Sequence, residues 1–352
     1  MDPLRADRLS LEEQVSLLSG QDQWRTRAIA AKGVPAVRTS DGPHGVRAQL
    51  GRGDHLGLGG SHPATCFPPA VTVASSWDEA LAEEVGRALG EEADATGVAV
   101  LLGPGLNIKR HPLCGRNFEY LSEDPLVSGR LAAAYVRGIQ STGVAACVKH
   151  FAVNNQEGHR FVVDAVVDER TLRELYLAGF EHVVRDAAPR VVMAAYNRVG
   201  GPHATSHRGL LTEVLREEWG FAGLVVSDWG ATADRVAGVR AGMDLEMPAA
   251  AGRGTARCWM RSGAATSTPT RCAPAPSGCS TSSPRPAPTP RSTSRGSTRS
   301  PSATTPWPAG PPPPAPCCSP TSASSPCARP PASRCSVRSP RTRATRGRAA
   351  PG

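Results

Sequence analysis

Two rhythms of apolar and polar positions alternate along the first 248 residues. Short, nearly continuous apolar runs predict strands at "GVPAVRTSD" (33–41), "VAVLLGPGLNI" (98–108), "VAACVKHFAVN" (144–154), "RVVMAAYNRVGG" (190–201), "GLVVSDWG" (223–230) and the shorter "MDLEMP" (243–248). Between them, apolar residues recur at helical spacing in 76–97, 129–143, 169–187, 207–221 and 232–242. Near the start, "SLEEQVSLLSG" (10–20) has the marks of a short helix. Ser10 stands as N-cap, Glu13 is three residues on in capping-box position, and Gly20 is the expected C-cap. The next long helix is expected to open near Ser76.

Apolar strands separated by helices imply a parallel sheet covered on both faces. Seven or eight β/α units in about 250 residues suit an α/β fold of the (β/α)8 TIM type better than an open sheet. A doubly wound sheet has the same element order, but no G-x-G-x-x-G follows the first strand. Several polar residues stand where apolar runs end: Asp41, Lys149 with His150, Tyr196 and Asp228. Singly, each has an ordinary reading as a cap, a solvated pair or a core tyrosine. In a barrel, however, these strand ends meet at one mouth, where active sites lie.

Composition changes sharply after Pro248. The 352 residues carry 40 Lys+Arg against 31 Asp+Glu, but residues 249–352 hold fifteen Arg and no Lys, Asp or Glu. The first part is therefore slightly acidic, with 25 basic against 31 acidic residues, and the basic balance is no sign of nucleic-acid binding. Seven of the ten cysteines also fall after 248. Cys66, Cys114 and Cys147 are widely spaced, which fits reduced thiols rather than a disulfide framework or a zinc site. No secretory leader and no apolar run of about 18 residues is evident, so the expectation is a cytoplasmic protein with no membrane partner. No metal or cofactor is expected, and oligomeric state is left open.

Four ordered motifs carry a resemblance: "TSDGPHGVR" (39–47), "GRNFEYLSEDP" (115–125), "KHFAVNNQE" (149–157) and "LVVSDWGA" (224–231), with "GQDQWRT" (20–26) ahead of them. They resemble glycoside hydrolase family 3, and within it the bacterial and fungal β-glucosidases, over Leu11 to Pro248. The resemblance implies hydrolysis of terminal β-D-glucosyl residues by a retaining mechanism. A β-glucoside or related oligosaccharide would be the partner, and Asp228 of "SDW" the nucleophile. Neighbouring cations are expected to keep the pKa of Asp228 low. The resemblance also implies that Asp41, Arg47, Arg116, Lys149 and His150 bind the sugar. Arg160 would stand behind them, Tyr196 near the nucleophile, and Trp229 would offer an apolar face. Glu119, Glu123 and Asp124 are read as bracing Arg116 and capping the next helix. His159 is read as a surface histidine, because the loop of the family's N-acetylglucosaminidase branch is absent. A sugar-binding barrel without catalysis, carrying a disordered basic tail, is the alternative.

In the β-glucosidase branch the resemblance places the acid/base Glu on a second α/β domain, expected from near residue 300. Instead, residues 249–352 contain no Leu, Ile, Phe, Tyr, Asn, Gln or His, and they read as a disordered Pro/Ser/Thr/Arg segment. A shift of coding frame near Pro248 accounts for this composition. Trp259-Met260 must be encoded TGG-ATG, which contains GAT, an Asp codon, one frame over. In that frame "TTPWPAGPPPPAPCCSP" permits "HHALARRAAAAGAVLLT", a helix followed by an apolar strand. The expectation is thus a barrel over 1–248 lacking its last outer helix, and an out-of-frame remnant over 249–352. Loss of the acid would impair catalysis.

Overall fold

The computed structural model describes residues 6–51, 53 and 59–249. The expectations for the tail, its frame and the missing helix lie outside the described residues.

Five parallel strands form one sheet in the order β1 (Thr39–Ser40), β2 (Val100–Leu101), β3 (Ala145–Phe151), β5 (Val191–Ala194), β7 (Leu224–Ser227). A separate parallel pair joins β4 (Asp164–Ala165) to β6 (Arg198–Val199). The sheet curls into a barrel of TIM type, and its seam is made by single bridges rather than by long ladders. Val226 pairs with Leu245, and Glu246 with Ser19. The amide of Thr39 in β1 donates to the Trp24 carbonyl at 2.7 Å. The "MDLEMP" run therefore takes its predicted place next to β7 but contributes bridges, not a full strand. Its Asp244 accepts from the Val225 amide and from Arg216, which fixes that short segment.

Period-two alternation sorts the strand residues. Val100, Leu102, Ala145, Cys147, Val191, Met193, Val226 and Leu245 form one buried cluster inside the ring. Their neighbours Leu101, Ala146, Val148, Val192, Ala194 and Val225 belong to the larger core beneath the helices. Strands buried on both faces explain the unbroken apolar runs in the sequence.

The helices follow the predicted order: α3 (Glu79–Ala95), α4 (Pro125–Ser141), α5 (Glu169–Thr171) leading through a wide π-type stretch, Leu172–Leu177, into α6 (Ala178–Ala187), then a second π-type stretch, Gly209–Glu218, and α7 (Arg235–Ala241). Ser10 caps α1 (Leu11–Leu17) in a complete capping box with Glu13, as expected. Gly20 is not its C-cap. The helix stops at Leu17, and Gly20 instead donates to the Glu246 carbonyl at 3.0 Å, because residues 19–20 are needed in the barrel seam. The long helix α3 opens at Asp78, two residues after Ser76, with the Asp78 carboxylate accepting from the Leu81 amide. A short helix, α2 (Ala70–Ala74), was not indicated by the pattern.

α3 and α4 pack closely, and two glycines allow it. A Cβ on Gly86 would stand 2.4 Å from the Tyr135 carbonyl oxygen, and one on Gly138 2.1 Å from that of Glu83. This seating brings the Tyr135 hydroxyl to the carbonyl of Pro43, to which it donates at 2.7 Å. A helix on the outside of the barrel thus holds the loop that follows Asp41.

Candidate active site

The alternation that fills the barrel with apolar side chains also supplies its polar end. Counting by twos along β3, Ala145 and Cys147 lead to Lys149; along β7, Leu224 and Val226 lead to Asp228. Both polar residues therefore point inward at the C-terminal ends of their strands. Lys149 and His150 are almost wholly buried, and Asp228 is 7% exposed.

Buried charges require partners. Lys149 Nζ lies 3.0 Å from Asp41 Oδ1 and 3.9 Å from Glu119 Oε2. Glu119 pairs closely with Arg116 through the guanidinium Nε. Arg116 stands 3.9 Å from Glu157, and Glu157 lies 2.9 Å from Arg160. Six charges thus alternate in sign, from Asp41 through Lys149, Glu119, Arg116 and Glu157 to Arg160. The Arg160 guanidinium then sits 4.2 Å over the Tyr196 ring, within cation–π range. Burial pushes the Asp41 carboxyl upward, but Lys149, the Gly42 amide and Arg116 together outweigh it and hold Asp41 below its ordinary pKa.

His150 occupies the centre. Its ring lies against Arg116 on one side, with 2.8 Å between Nη2 and Nε2, and against the Tyr120 hydroxyl on the other, 3.1 Å from Nδ1. Asn107 holds the His150 backbone at both its N–H and its C=O. Burial first, then the charges of Arg116 and Lys149, hold the imidazole far below its ordinary pKa, so the ring is neutral. Its Nε2 is 3.6 Å from Asp228 Oδ2. With a neutral ring this is not an ion pair. The other carboxylate oxygen, Oδ1, accepts from the Trp229 amide at 2.7 Å, whereas buried Oδ2 has no hydrogen-bond partner.

The expectation that cations keep the pKa of Asp228 low is not met. Burial raises it, and Arg116, the Trp229 amide, Lys149 and Tyr196 offset only part of that effect. Burial is the largest influence, and the charge of Arg116, although it is paired with Glu119, gives the largest offset without overcoming it.

Of the residues singled out in the sequence, Asp41, Arg116, Lys149, His150, Arg160, Tyr196 and Asp228 are brought into one connected cluster. Tyr196 donates its hydroxyl to the Trp229 carbonyl at 3.1 Å and also interacts with Asp228. Trp229 is half-buried, with its ring 5.4 Å from that of Trp24 and its indole N–H donating to the Gln23 carbonyl. Arg47 stands apart. Its amide donates to the Asp41 carbonyl, but no hydrogen bond or ion pair joins its guanidinium to the cluster, and its Nη2 is buried without a partner. Glu119 braces Arg116, Asp124 caps α4 through the Val127 amide, and His159 is exposed, all as read from the sequence. Asn107, Tyr120 and Glu157 had not been assigned to the site. Asn107 was visible by the rule that found the others, since it stands where "VAVLLGPGL" runs out. Tyr120 and Glu157 lie in loops where no periodicity marks them.

A pocket of about 530 Å³ opens beside the cluster, lined among others by Asp41, His44, Arg116, Phe118, Glu119, Glu157 and Arg160. Asp228 is not in its wall; Arg116 and His150 connect the two. Among the described residues, no group of three His, Cys, Asp or Glu side chains is arranged to hold a metal ion.

Comparison with known proteins identifies the family. The profile of the "Glycosyl hydrolase family 3 N terminal domain" matches residues 9–252. Thermostable beta-glucosidase B of Acetivibrio thermocellus is 56% identical over 244 residues, which are 69% of this chain and 32% of that protein. Exo-alpha-(1->6)-L-arabinopyranosidase of Bifidobacterium breve is 52% identical over 241 residues, 68% of this chain and 32% of that protein. The structure of beta-glucosidase 3B from Thermotoga neapolitana in complex with glucose superposes with a TM-score of 0.69 at 43% identity, covering 73% of this chain and 38% of the other. The chain spans about a third of the length of the curated relatives it matches. The matched region is the one that builds the curled parallel sheet and the polar cluster at its end, and on this ground the chain belongs to glycosyl hydrolase family 3, whose N-terminal domain it contains.

Proposed function

We propose that this chain carries the nucleophile of a retaining hydrolase acting on terminal non-reducing β-D-glucosyl residues, and that the nucleophile is Asp228. The observation that carries this reading is the isolation of its carboxylate. Among the described residues of the cluster, Asp41, Glu119 and Glu157 are each paired with Lys or Arg, while Asp228 forms no such pair and meets the neutral His150 imidazole, the Trp229 amide and the Tyr196 side chain. An acceptor-rich oxygen, Oδ2, is left buried without a hydrogen bond. Such an oxygen suits attack on an anomeric carbon. It would form a glycosyl ester as the leaving oxygen departs, and water would then cleave the ester. The paired charges suit a different task. Asp41 and Lys149 present an acceptor and a donor for sugar hydroxyls, and Arg116 and Arg160 add forked donors. We assign Arg47 and Trp229 to the rim of the same sugar site.

A retaining mechanism also needs a proton donor. Glu119 and Glu157 are bound to arginine, which suits bracing rather than proton donation. We assign the acid to a Glu of a second domain. On this reading residues 1–248 are the barrel domain and residues 249–352 are an out-of-frame remnant, so natural glucosides, whose alkoxide must be protonated as it leaves, are cleaved slowly. General acid help is worth typically 10²–10⁴-fold. Resequencing around codon 248 tests the frame. We also propose a cytoplasmic location, in line with the free thiols of Cys66, Cys114 and Cys147; among the described residues no helix is long and apolar enough to cross a membrane.

The functional test is turnover of 2,4-dinitrophenyl β-D-glucoside by the full chain, since that leaving group needs no acid. Release of dinitrophenol that disappears in Asp228→Ala supports the reading. Glucose binding without any turnover would support the alternative, a sugar-binding barrel without catalysis. Parallel assays with β-D-xyloside and α-L-arabinopyranoside substrates determine the glycone.

A further inference from the structure

We propose that Phe161 is a specificity-determining residue that seats a flat aromatic aglycone, so that aryl β-glucosides are bound in preference to glucosides of a small alcohol or of a second sugar. The proposal rests on the reading of Asp228 as nucleophile.

Asp228 has two kinds of neighbour. Through His150 it adjoins Arg116, with Glu119, Lys149 and Asp41 beyond. These charged groups suit the hydroxyls of a sugar. Its other neighbours are aromatic. Tyr196 interacts with Asp228 and donates to the Trp229 carbonyl at 3.1 Å, and the Trp229 ring lies 5.4 Å from that of Trp24. Phe161 extends this aromatic side outward, with its ring 4.7 Å from that of Tyr196 in an edge-on contact. The Arg160 guanidinium lies 4.2 Å from the Tyr196 ring and 5.4 Å from the Phe161 ring, and Glu157 holds it there. Phe161 is thereby fixed in place and still 50% exposed, whereas Tyr196 is buried. Val162 beside it is exposed as well.

Displacement at the anomeric carbon sets the direction. Asp228 attacks one face of that carbon, and the leaving oxygen departs from the opposite face. Asp228 stands at the end of β7 above the apolar interior, so the aglycone lies outward, at the mouth. With the sugar hydroxyls on the charged side, the side left for the aglycone is the aromatic one, and its solvent-facing member is Phe161. A phenylalanine half in water adds little to the fold. A planar ring laid against it would remove that area from water and add ring–ring attraction. Phe118 is the other exposed phenylalanine near the cluster, at 56%. It lines the pocket with Asp41 and His44, whose wall does not include Asp228, and so belongs to the end of the sugar away from the bond that is cut.

The test is titration calorimetry of the full chain with three ligands that resist hydrolysis: phenyl 1-thio-β-D-glucoside, methyl 1-thio-β-D-glucoside and thiocellobiose. The parent should bind the phenyl compound about tenfold more tightly than the methyl one, the scale of one aromatic contact. In Phe161→Ser that ratio should fall to about threefold or less, with Kd of the methyl compound unchanged, and Phe161→Tyr should keep the parent ratio. No preference in the parent, a preference that survives in Phe161→Ser, or one lost instead in Phe118→Ser overturns the proposal. So does a methyl Kd that rises as much as the phenyl Kd, which would make Phe161 a support of the sugar site. Thiocellobiose bound as tightly as the phenyl compound, with the same loss in Phe161→Ser, would mark a place for a second sugar and overturn the aryl assignment. Failure of the underlying reading looks different, because turnover of dinitrophenyl glucoside is then absent, or survives in Asp228→Ala, whatever the ratio of phenyl to methyl binding.

Discussion

Two layers of the same barrel, one above the other, are built by the same strands and by the same inward register. The lower layer contains Val100, Ala145, Cys147, Val191, Met193 and Val226 and is closed to water. Two residues further along β3, and past the end of β7, the register reaches Lys149 and Asp228, where charges are gathered instead. The lower layer is held by area removed from water. The upper layer is held by pairing, and one of its members is left out of the pairing. On the proposed reading, the contrast separates what makes the domain fold from what would make it chemically active, and substitutions in the two layers should therefore fail in different ways.

The largest effect should come from Asp228→Asn. Turnover of dinitrophenyl glucoside should fall by at least about 10³-fold, as expected for loss of a nucleophile. The fold should not weaken. A carboxyl whose folded pKa is raised prefers to be neutral, so its ionisation at neutral pH works against folding, and the neutral isostere should unfold a few degrees higher in a thermal melt. Lower melting together with lost activity would mean that Asp228 belongs to the structural layer.

In the lower layer Met193→Ala should do the reverse. Met193 is 2% exposed, and truncating such a side chain costs about 2–5 kcal/mol. Urea unfolding should show this loss, while KM of the protein that remains folded should be nearly that of the parent.

Lys149→Met breaks the polar layer without removing the nucleophile. KM should rise about 10–100-fold through lost contacts to sugar, equivalent to about 1.4–2.8 kcal/mol. Stability at neutral pH should fall, by up to about 3–5 kcal/mol, because the variant leaves Asp41 and Glu119 without their buried cation; the partial exposure of Asp41 moderates the loss. The acid side should differ. Asp41 has a depressed pKa, so its stabilising contribution is present above its unfolded pKa and is lost as pH falls through the folded one. That part of the acid unfolding of the parent protein, below the ordinary aspartate range, should be missing in Lys149→Met.

The smallest effect is one of pH alone. Because the pKa of Asp228 is raised and attack requires its ionised form, the acid limb of kcat/KM for dinitrophenyl glucoside should lie above the ordinary carboxylate range. A limb at or below that range would show that bound substrate or neighbouring charge reverses the effect of burial.

Much of this division was legible in the sequence. Apolar runs marked the lower layer, and polar residues at their ends marked Asp41, Lys149, His150, Tyr196 and Asp228. The short strands were not legible as such: Thr39–Ser40 and Val100–Leu101 pair over two residues each, although the apolar runs are much longer. Barrel closure by single bridges at Ser19 and Leu245 depends on contacts between distant parts of the chain, which no local pattern encodes. The same holds for the polar layer. Residue types suggested that cations would lower the pKa of Asp228, but which carboxylate each cation pairs with is a matter of three-dimensional arrangement. Arg116 and Lys149 pair with Glu119 and Asp41 and still lower the pKa of Asp228, but its burial, which no residue type announces, outweighs them. The guanidinium of Arg47 stands outside the connected cluster, a placement that residue type and motif position do not reveal.

The most direct test of the central claim, that the isolated carboxylate is the nucleophile, is to trap it. The full chain is incubated with 2,4-dinitrophenyl 2-deoxy-2-fluoro-β-D-glucoside, whose fluorine slows hydrolysis of a glycosyl ester, and is then digested for peptide mass spectrometry. The account predicts one fluoroglucosyl group per chain, attached to Asp228 within the peptide containing "LVVSDWG", and none in Asp228→Asn. Attachment to Asp41, Glu119 or Glu157, or dinitrophenol release without any adduct under conditions where the ester persists, would contradict it.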